Sequence, residues 1–190
     1  MNSVVRITIL LLALPLTSQA TEIGEKISSL SMPDSSGKLH SLADYRGKIL
    51  VFAFWSFKCP VSLAYNERLM ALQKKYQARG VVLLGIASNA NESAEEIRRN
   101  ASNLKISFPL LLDSDGSFAE RIGANHTPSM LILDPDGVLR YRGAPDNNKI
   151  PGMSDRMAYA EEALEALLSG RPLQTPETKE FGCTIQKKSS

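Results

Sequence analysis

The chain has 190 residues, 43% hydrophobic and 22% charged, enough for one domain with a real core or at most two small ones. Its 22 basic and 20 acidic residues leave a formal net charge of +2, which excludes the strongly basic composition of a nucleic-acid or anionic-membrane binder. The sequence carries no block of like charges and no internal repeat.

In chain order, Arg6 precedes the ten-residue apolar run ITILLLALPL, residues 7–16, and TSQA follows with small residues at Ser18 and Ala20. This is the layout of a secretory signal, and the run is shorter than the roughly 20 residues a spanning helix needs. No cysteine lies near the cleavage site, so lipid anchoring there has no support. Residues 1–20 are therefore expected to be removed, leaving a mature chain that starts near Thr21 and is exported to a periplasm or the cell exterior.

LSMPDSSGKLHSL, residues 30–42, reads as two short strands around a Ser-Gly turn. KILVFAFW, 48–55, is a continuous apolar run suited to a strand buried on both faces. A helix is expected from Cys59 to about Arg79, and VVLLGIAS, 81–88, is a second fully apolar strand. NESAEEIRRNA, 91–101, has the capping-box pattern of a helix start, with Ser93 as cap and Glu96 three residues on. FPLLLD leads to a short helix in GSFAERIGA. SMLILDPDGVLRYRG, 129–143, is a hairpin with an Asp-Gly turn, which explains the acidic DPDG without a metal loop. Residues 155–170 form a last amphipathic helix, and 171–190 read as an irregular tail that carries Cys183. Two βαβ crossovers imply parallel strands and the closing hairpin adds antiparallel ones, so one α/β domain over residues 21–170 is expected.

Only two cysteines occur, Cys59 and Cys183. In an oxidising compartment an even count suggests a disulfide, but two in so long a chain do not make a disulfide scaffold. Cys59 follows a strand and a short loop and opens a helix with Pro60 just inside it, where a missing N–H costs nothing. A thiol there meets unpaired N–H groups and the positive end of the helix dipole, which favour the nucleophilic thiolate. Thr127-Pro128 stands at the start of the hairpin strand, a place a proline tolerates.

The series FAFWSFKCP, GVVLLGIASN and FPLLLDSDGSFAERIGANHTPSMLILDPDGVLRYRG, over about residues 24–170, resembles the thioredoxin superfamily. Within it the chain is similar to the redoxin branch (alkyl hydroperoxide reductase and thiol-specific antioxidant, AhpC/TSA), close to the periplasmic thiol-disulfide oxidoreductases. PETKEFGCTIQ also resembles the C-terminus of a peroxiredoxin-like subgroup with a Gly-Cys there. The resemblance implies a thioredoxin-like fold: a central mixed sheet flanked by helices, with an N-terminal β-hairpin extension. It implies a cis Pro128 lying against Cys59. It implies a thiol-dependent oxidoreductase with Cys59 as nucleophile and Trp55, Pro60, Thr127 and Pro128 on the substrate-docking face.

The departures are specific. Ser62 stands where a Cys-x-x-Cys enzyme has its second thiol. Against the peroxiredoxin pattern Pro-x-x-x-Thr-x-x-Cys, Phe52 replaces the proline and Ser56 supplies a hydroxyl at the threonine place. Pro128 stands near where peroxiredoxins have their arginine. His126 is a weak candidate for lowering the Cys59 pKa or acting as base; a loop histidine bonded to backbone is the plain alternative, and His40 reads as structural. A Cys and a His can also bind copper(I), as in Sco-type chaperones, but Trp55 occupies the place of the other thiolate. Cys183 can resolve an oxidised Cys59, clamp the tail permanently, or pair between chains. Three Asn-x-Ser/Thr sequons, at Asn91, Asn100 and Asn125, are read as chance.

The expected substrate is a peroxide or a protein thiol or disulfide, and an external thiol reductant is needed. No flavin, nicotinamide, haem or metal motif is present, and no cofactor, nucleic acid or membrane partner is expected of the mature chain. The rival reading is a redoxin fold that has lost catalysis and binds a protein or copper(I).

Overall fold

A computed structural model describes residues 20–148 and 156–188. The signal segment before Ala20 and position 155 lie outside the described residues; the last helix, expected over 155–170, begins at Tyr159. The elements are β1 Ser31–Pro33, β2 Leu39–Ser41, β3 Ile49–Phe54, α1 Pro60–Ala64, α2 Asn66–Tyr76, β4 Val81–Ala87, α3 Ala94–Asn103, β5 Leu110–Leu112, α4 Ser117–Ile122, β6 His126–Thr127, β7 Ser129–Leu133, β8 Leu139–Gly143, α5 Tyr159–Leu168 and β9 Cys183–Thr184.

The central sheet runs β5-β4-β3-β7-β8. Strand β3 pairs in parallel with β4 and antiparallel with β7, and β4 pairs in parallel with β5. All six residues of β3 are buried, as a strand covered on both faces requires. Its side chains alternate: Ile49, Val51, Ala53 and Trp55 enter one core with Leu69, Leu72, Tyr76 and Leu164. Leu50, Phe52 and Phe54 enter the other with Ile86, Leu131, Phe118 and Ile122. Each fully buried Phe or Leu contributes about 1.5–3 kcal/mol, so the two cores hold the sheet and the loops at its ends. This is the expected thioredoxin-like α/β architecture, and β1 and β2 form the expected N-terminal hairpin, with Met32 opposite His40.

Two expectations change. The helix read from Cys59 to Arg79 is broken: α1 and α2 meet at Tyr65, whose N–H bonds to Ser62 O at 2.9 Å in a tighter turn. Tyr65 is fully buried, and its hydroxyl donates to Asp146 and Asn148 O. Nor is the tail irregular throughout. Arg142 N donates to Pro176 O at 2.9 Å and Thr178 N to Arg142 O at 3.0 Å, extending the β8 edge. Further on, β9 pairs antiparallel with β6. Hydrophobic periodicity misses both segments because each is held by backbone pairing to distant residues.

Candidate active site

Trp55 N donates to Ile86 O at 2.9 Å and prolongs β3 by one step before the chain turns. The loop is pinned at three points. Phe57 N donates to Glu92 Oε1 at 2.8 Å, Lys58 N donates to Ser56 Oγ at 3.1 Å, and Lys58 Nζ donates to Asn91 O. Cys59 then caps α1 with extended backbone, Pro60 takes the first helical position, and Ser62 N–H points at Cys59 Sγ, 3.4 Å away. This is the strand–loop–Cys-Pro–helix geometry expected from the sequence. Cys59 is 1% exposed.

Thr127-Pro128 is a cis peptide bond, as the resemblance implied. Thr127 O lies 3.2 Å from Cys59 Sγ. The sulfur is in a disulfide and has no hydrogen, so this is a contact; a free thiol at the same place would donate there.

The sulfur's partner is Cys183, with a Cα–Cα distance of 5.9 Å and a sequence separation of 124. Cys183 lies opposite Thr127 and Thr184 opposite His126 in the β6–β9 pair. The tail continues across the site. Ile185 N donates to Asn125 O at 2.9 Å, Ala90 N to Gln186 O at 2.7 Å, and Gln186 N to Asn89 Oδ1 at 2.8 Å. The tail is thus a strand held between the loop after β4 and the segment before Pro128. At Gly182, φ is +111°, and an added Cβ would run into Thr127 O, so only glycine lets the tail come this close.

The other candidates separate. Trp55 is fully buried, in edge contacts with Phe57 and Phe108, and supports the loop. Ser56 is buried with its oxygen accepting from Lys58 N. Pro60 is exposed, whereas Thr127 and Pro128 are buried. His126 points elsewhere than expected: its Nδ1 lies 3.1 Å from Glu180 Oε2, on the tail. The copper(I) reading needs the imidazole beside the Cys59 sulfur, and here tail pairing directs it to a carboxylate. Among the described residues no group of three or more His, Cys, Asp or Glu is placed to hold a metal ion. His40 bonds Asp34 at 2.9 Å and also Tyr45, a structural use.

The sequence reading missed the support behind the site. Asp146 is fully buried and receives Tyr65, Arg68 at 3.1 Å and Arg156 at 2.7 Å. Burial, then the bond to Asp146, pushes the Tyr65 hydroxyl pKa well up, so it stays a proton donor. The Tyr65 ring also meets Phe181 of the tail, centroids 6.0 Å apart. Asp146 and Phe181 lie in segments without periodicity, so no sequence signal marks them.

The sequence profile of the AhpC/TSA family matches residues 23–142. The chain belongs to the AhpC/TSA family. Within this redoxin family it is 25% identical over 121 residues to the thiol-disulfide oxidoreductase ResA of Geobacillus thermodenitrificans, covering 64% of this chain and 68% of that one. Among solved structures, a hypothetical protein from Sinorhizobium meliloti superposes with a TM-score of 0.81 at 26% identity, over 90% of this chain and 98% of the other. An exposed lipoprotein thioredoxin from Streptococcus pneumoniae, at TM-score 0.58 and 22% identity over 73% of this chain and 99% of the other, shares the fold. The redoxin expected from the sequence is thus the family observed, close in sequence to thiol-disulfide oxidoreductases.

Proposed function

We propose that the protein is an exported thiol-disulfide oxidoreductase whose redox pair is Cys59 and Cys183, with Cys183 in place of the missing second thiol of a Cys-x-x-Cys motif. The observation that carries this reading is the docking of β9. An extended segment pairs with Thr127, and its cysteine is joined to Cys59. A site that holds its own cysteine-bearing strand this way has the shape to exchange with another one.

The step balances as follows. Reduced Cys59 attacks one sulfur of a substrate disulfide as thiolate, forming a mixed disulfide and releasing the other substrate sulfur as thiolate. Cys183, deprotonated, attacks Cys59 Sγ, releasing the second substrate thiolate and closing Cys59–Cys183. The substrate gains two electrons and the protein loses two. An external dithiol, oxidised in turn, restores the reduced pair. Before attack the Thr127 carbonyl accepts from the thiol, and the Ser62 N–H stabilises the thiolate. The docked extended segment favours a polypeptide disulfide over peroxide as substrate. Support for export is the signal-like residues 1–20; among the described residues no helix is long and apolar enough to cross a membrane.

The test traps the intermediate. Reduced Cys183→Ser protein, mixed with one equivalent of a disulfide-bonded peptide, should accumulate a covalent adduct at Cys59, while the unsubstituted protein releases free peptide thiol and no adduct. A Cys59→Ser variant that still reduces the peptide overturns the reading. Thiol loss that is faster with one equivalent of hydrogen peroxide than with the peptide overturns the choice of substrate.

A further inference from the structure

The tail meets the body of the protein in two places with opposite hydrogen-bond accounts. Upstream, around Thr178, the contacts are paired hydrogen bonds. Thr178 N donates to Arg142 O at 3.0 Å, and Arg142 N donates to Pro176 O at 2.9 Å. Thr178 Oγ1 accepts from Ala144 N at 3.0 Å and shares a 2.7 Å hydrogen bond with the buried Tyr141 hydroxyl. The Arg142 guanidinium pairs with the Glu177 carboxylate. Gly143 is the floor of this seat: at φ +142° an added Cβ would overlap both the backbone and the hydroxyl of Thr178. The fit belongs to these two residues and none of it requires the disulfide.

Downstream, the tail covers polar groups it does not satisfy. Thr127 Oγ1, Asn89 Nδ2 and Glu180 Oε1 belong to residues that bond or pair with this segment, and each is buried with no partner among the described residues. Ser62 Oγ, one residue pair from the disulfide, is in the same state. A buried polar atom without a partner costs about 1–3 kcal/mol, and lifting the cover admits water to all of them. The cover must lift in any case, because Cys59 is 1% exposed under it and no substrate sulfur can reach it.

We propose that Thr178, seated on Gly143, is the positioning residue for Cys183: it stays docked when the disulfide opens, so that Cys183 swings only on Lys179–Gly182 and is returned to Cys59 from a fixed end. The proposal deepens the exchange reading above and rests on it for its purpose, but its test does not depend on turnover. From Thr178, Cys183 is five residues away, a reach of at most about 18 Å. With Thr178 released, the next backbone fix upstream is Pro176, whose carbonyl accepts from Arg142 N at 2.9 Å; with Pro176 released too, it is Arg171, whose N–H bonds Ala166 O at 2.9 Å. The free segment then grows from five residues to seven, or to twelve if both let go. Effective concentration falls roughly as the −3/2 power of length, so Cys183 should be about 1.7-fold more dilute at Cys59 with Thr178 alone released and about four-fold with both.

Two measurements on the full mature chain decide this. The first is residue-resolved amide hydrogen exchange, oxidised against fully reduced. The amides of Thr178 and Arg142 should keep their protection on reduction, while that of Ile185 should lose at least ten-fold. Thr178 losing protection in step with Ile185 overturns the proposal, as does Ile185 keeping its own. The second is the equilibrium constant of the Cys59–Cys183 disulfide against glutathione. In Thr178→Pro, which removes the Thr178 N–H and hydroxyl and leaves the Arg142 N–Pro176 O bond, it should drop by about 1.7-fold to four-fold, a potential less negative by about 7–18 mV. Thr178→Val, which loses the hydroxyl alone, should shift in the same direction by less. An unchanged constant in folded Thr178→Pro protein overturns the proposal. Should that variant not fold, the exchange pattern of the unsubstituted chain decides alone. A protein that reduces no peptide but keeps this exchange pattern would overturn only the exchange reading.

Discussion

The two ends of the central sheet handle buried polar groups differently. At the far end, where β7 turns into β8, Asp134 is buried and its carboxylate is fully used. It accepts from Asp136 N and Val138 N at 3.0 Å each and from Arg140 Nε at 2.7 Å. At the Cys59 end, Trp55 Nε1, Ser62 Oγ, Asn89 Nδ2, Glu92 Oε2 and Thr127 Oγ1 are all buried without a partner among the described residues. Both ends are built on the same strands and the same two apolar cores. Saturated hydrogen bonding makes a turn that does not move, whereas unanswered donors and acceptors favour an arrangement that water or a substrate can enter.

The largest expected effect is that of opening the disulfide, the one covalent hold at the unsatisfied end. It closes a loop of sequence separation 124, for which chain entropy gives an upper value of about 5 kcal/mol. Urea unfolding of oxidised and reduced protein should therefore differ by several kcal/mol. Equal midpoints would mean that noncovalent contacts hold the cover by themselves and that the two ends are alike.

The contrast sharpens with a pair of substitutions. Asp134→Ala strands two backbone N–H groups and a guanidinium and should cost about 2 kcal/mol. Thr127→Val removes a hydroxyl that has no partner and keeps the shape, so it should be neutral or stabilise by up to about 1 kcal/mol in the oxidised protein. Chemical denaturation of the two variants measures both values; a loss at Thr127 as large as that at Asp134 would break the comparison.

The smallest effect is in acid. Burial works to raise the Asp34 pKa, but bonds from Ser36, His40 and the Ser36 and Lys38 N–H groups outweigh it and bring it to about 2. Asp134 is lowered too, its backbone and Arg140 bonds outweighing burial. Carboxylates whose pKa is lower folded than unfolded add stability at every pH above the unfolded value, near 3.8. That contribution falls as the pH drops from about 4 toward 2. Thermal midpoints should decline across this window in the parent protein and more shallowly in Asp34→Asn. A parallel decline in both would remove Asp34 from the account.

The sequence by itself determined the fold and the nucleophile's setting. The apolar run 48–55 suits a strand covered on both faces, as β3 is, and the Ser93–Glu96 spacing wrote the α3 cap. Cys-Pro after a strand and a loop placed a thiol at a helix start. All of these are local patterns, set by side-chain period, capping and turn chemistry. Only the tertiary structure decided that the chain breaks between α1 and α2 at Tyr65, that His126 faces Glu180, and that Asp146 gathers Tyr65, Arg68 and Arg156. It also brought Cys183 to Cys59 within one chain. The tail between Gly170 and Cys183 shows no period because it is held by backbone pairing to β8 and β6, and backbone groups are the same in every residue. Which edge they find depends on what the rest of the chain leaves unpaired once it has folded.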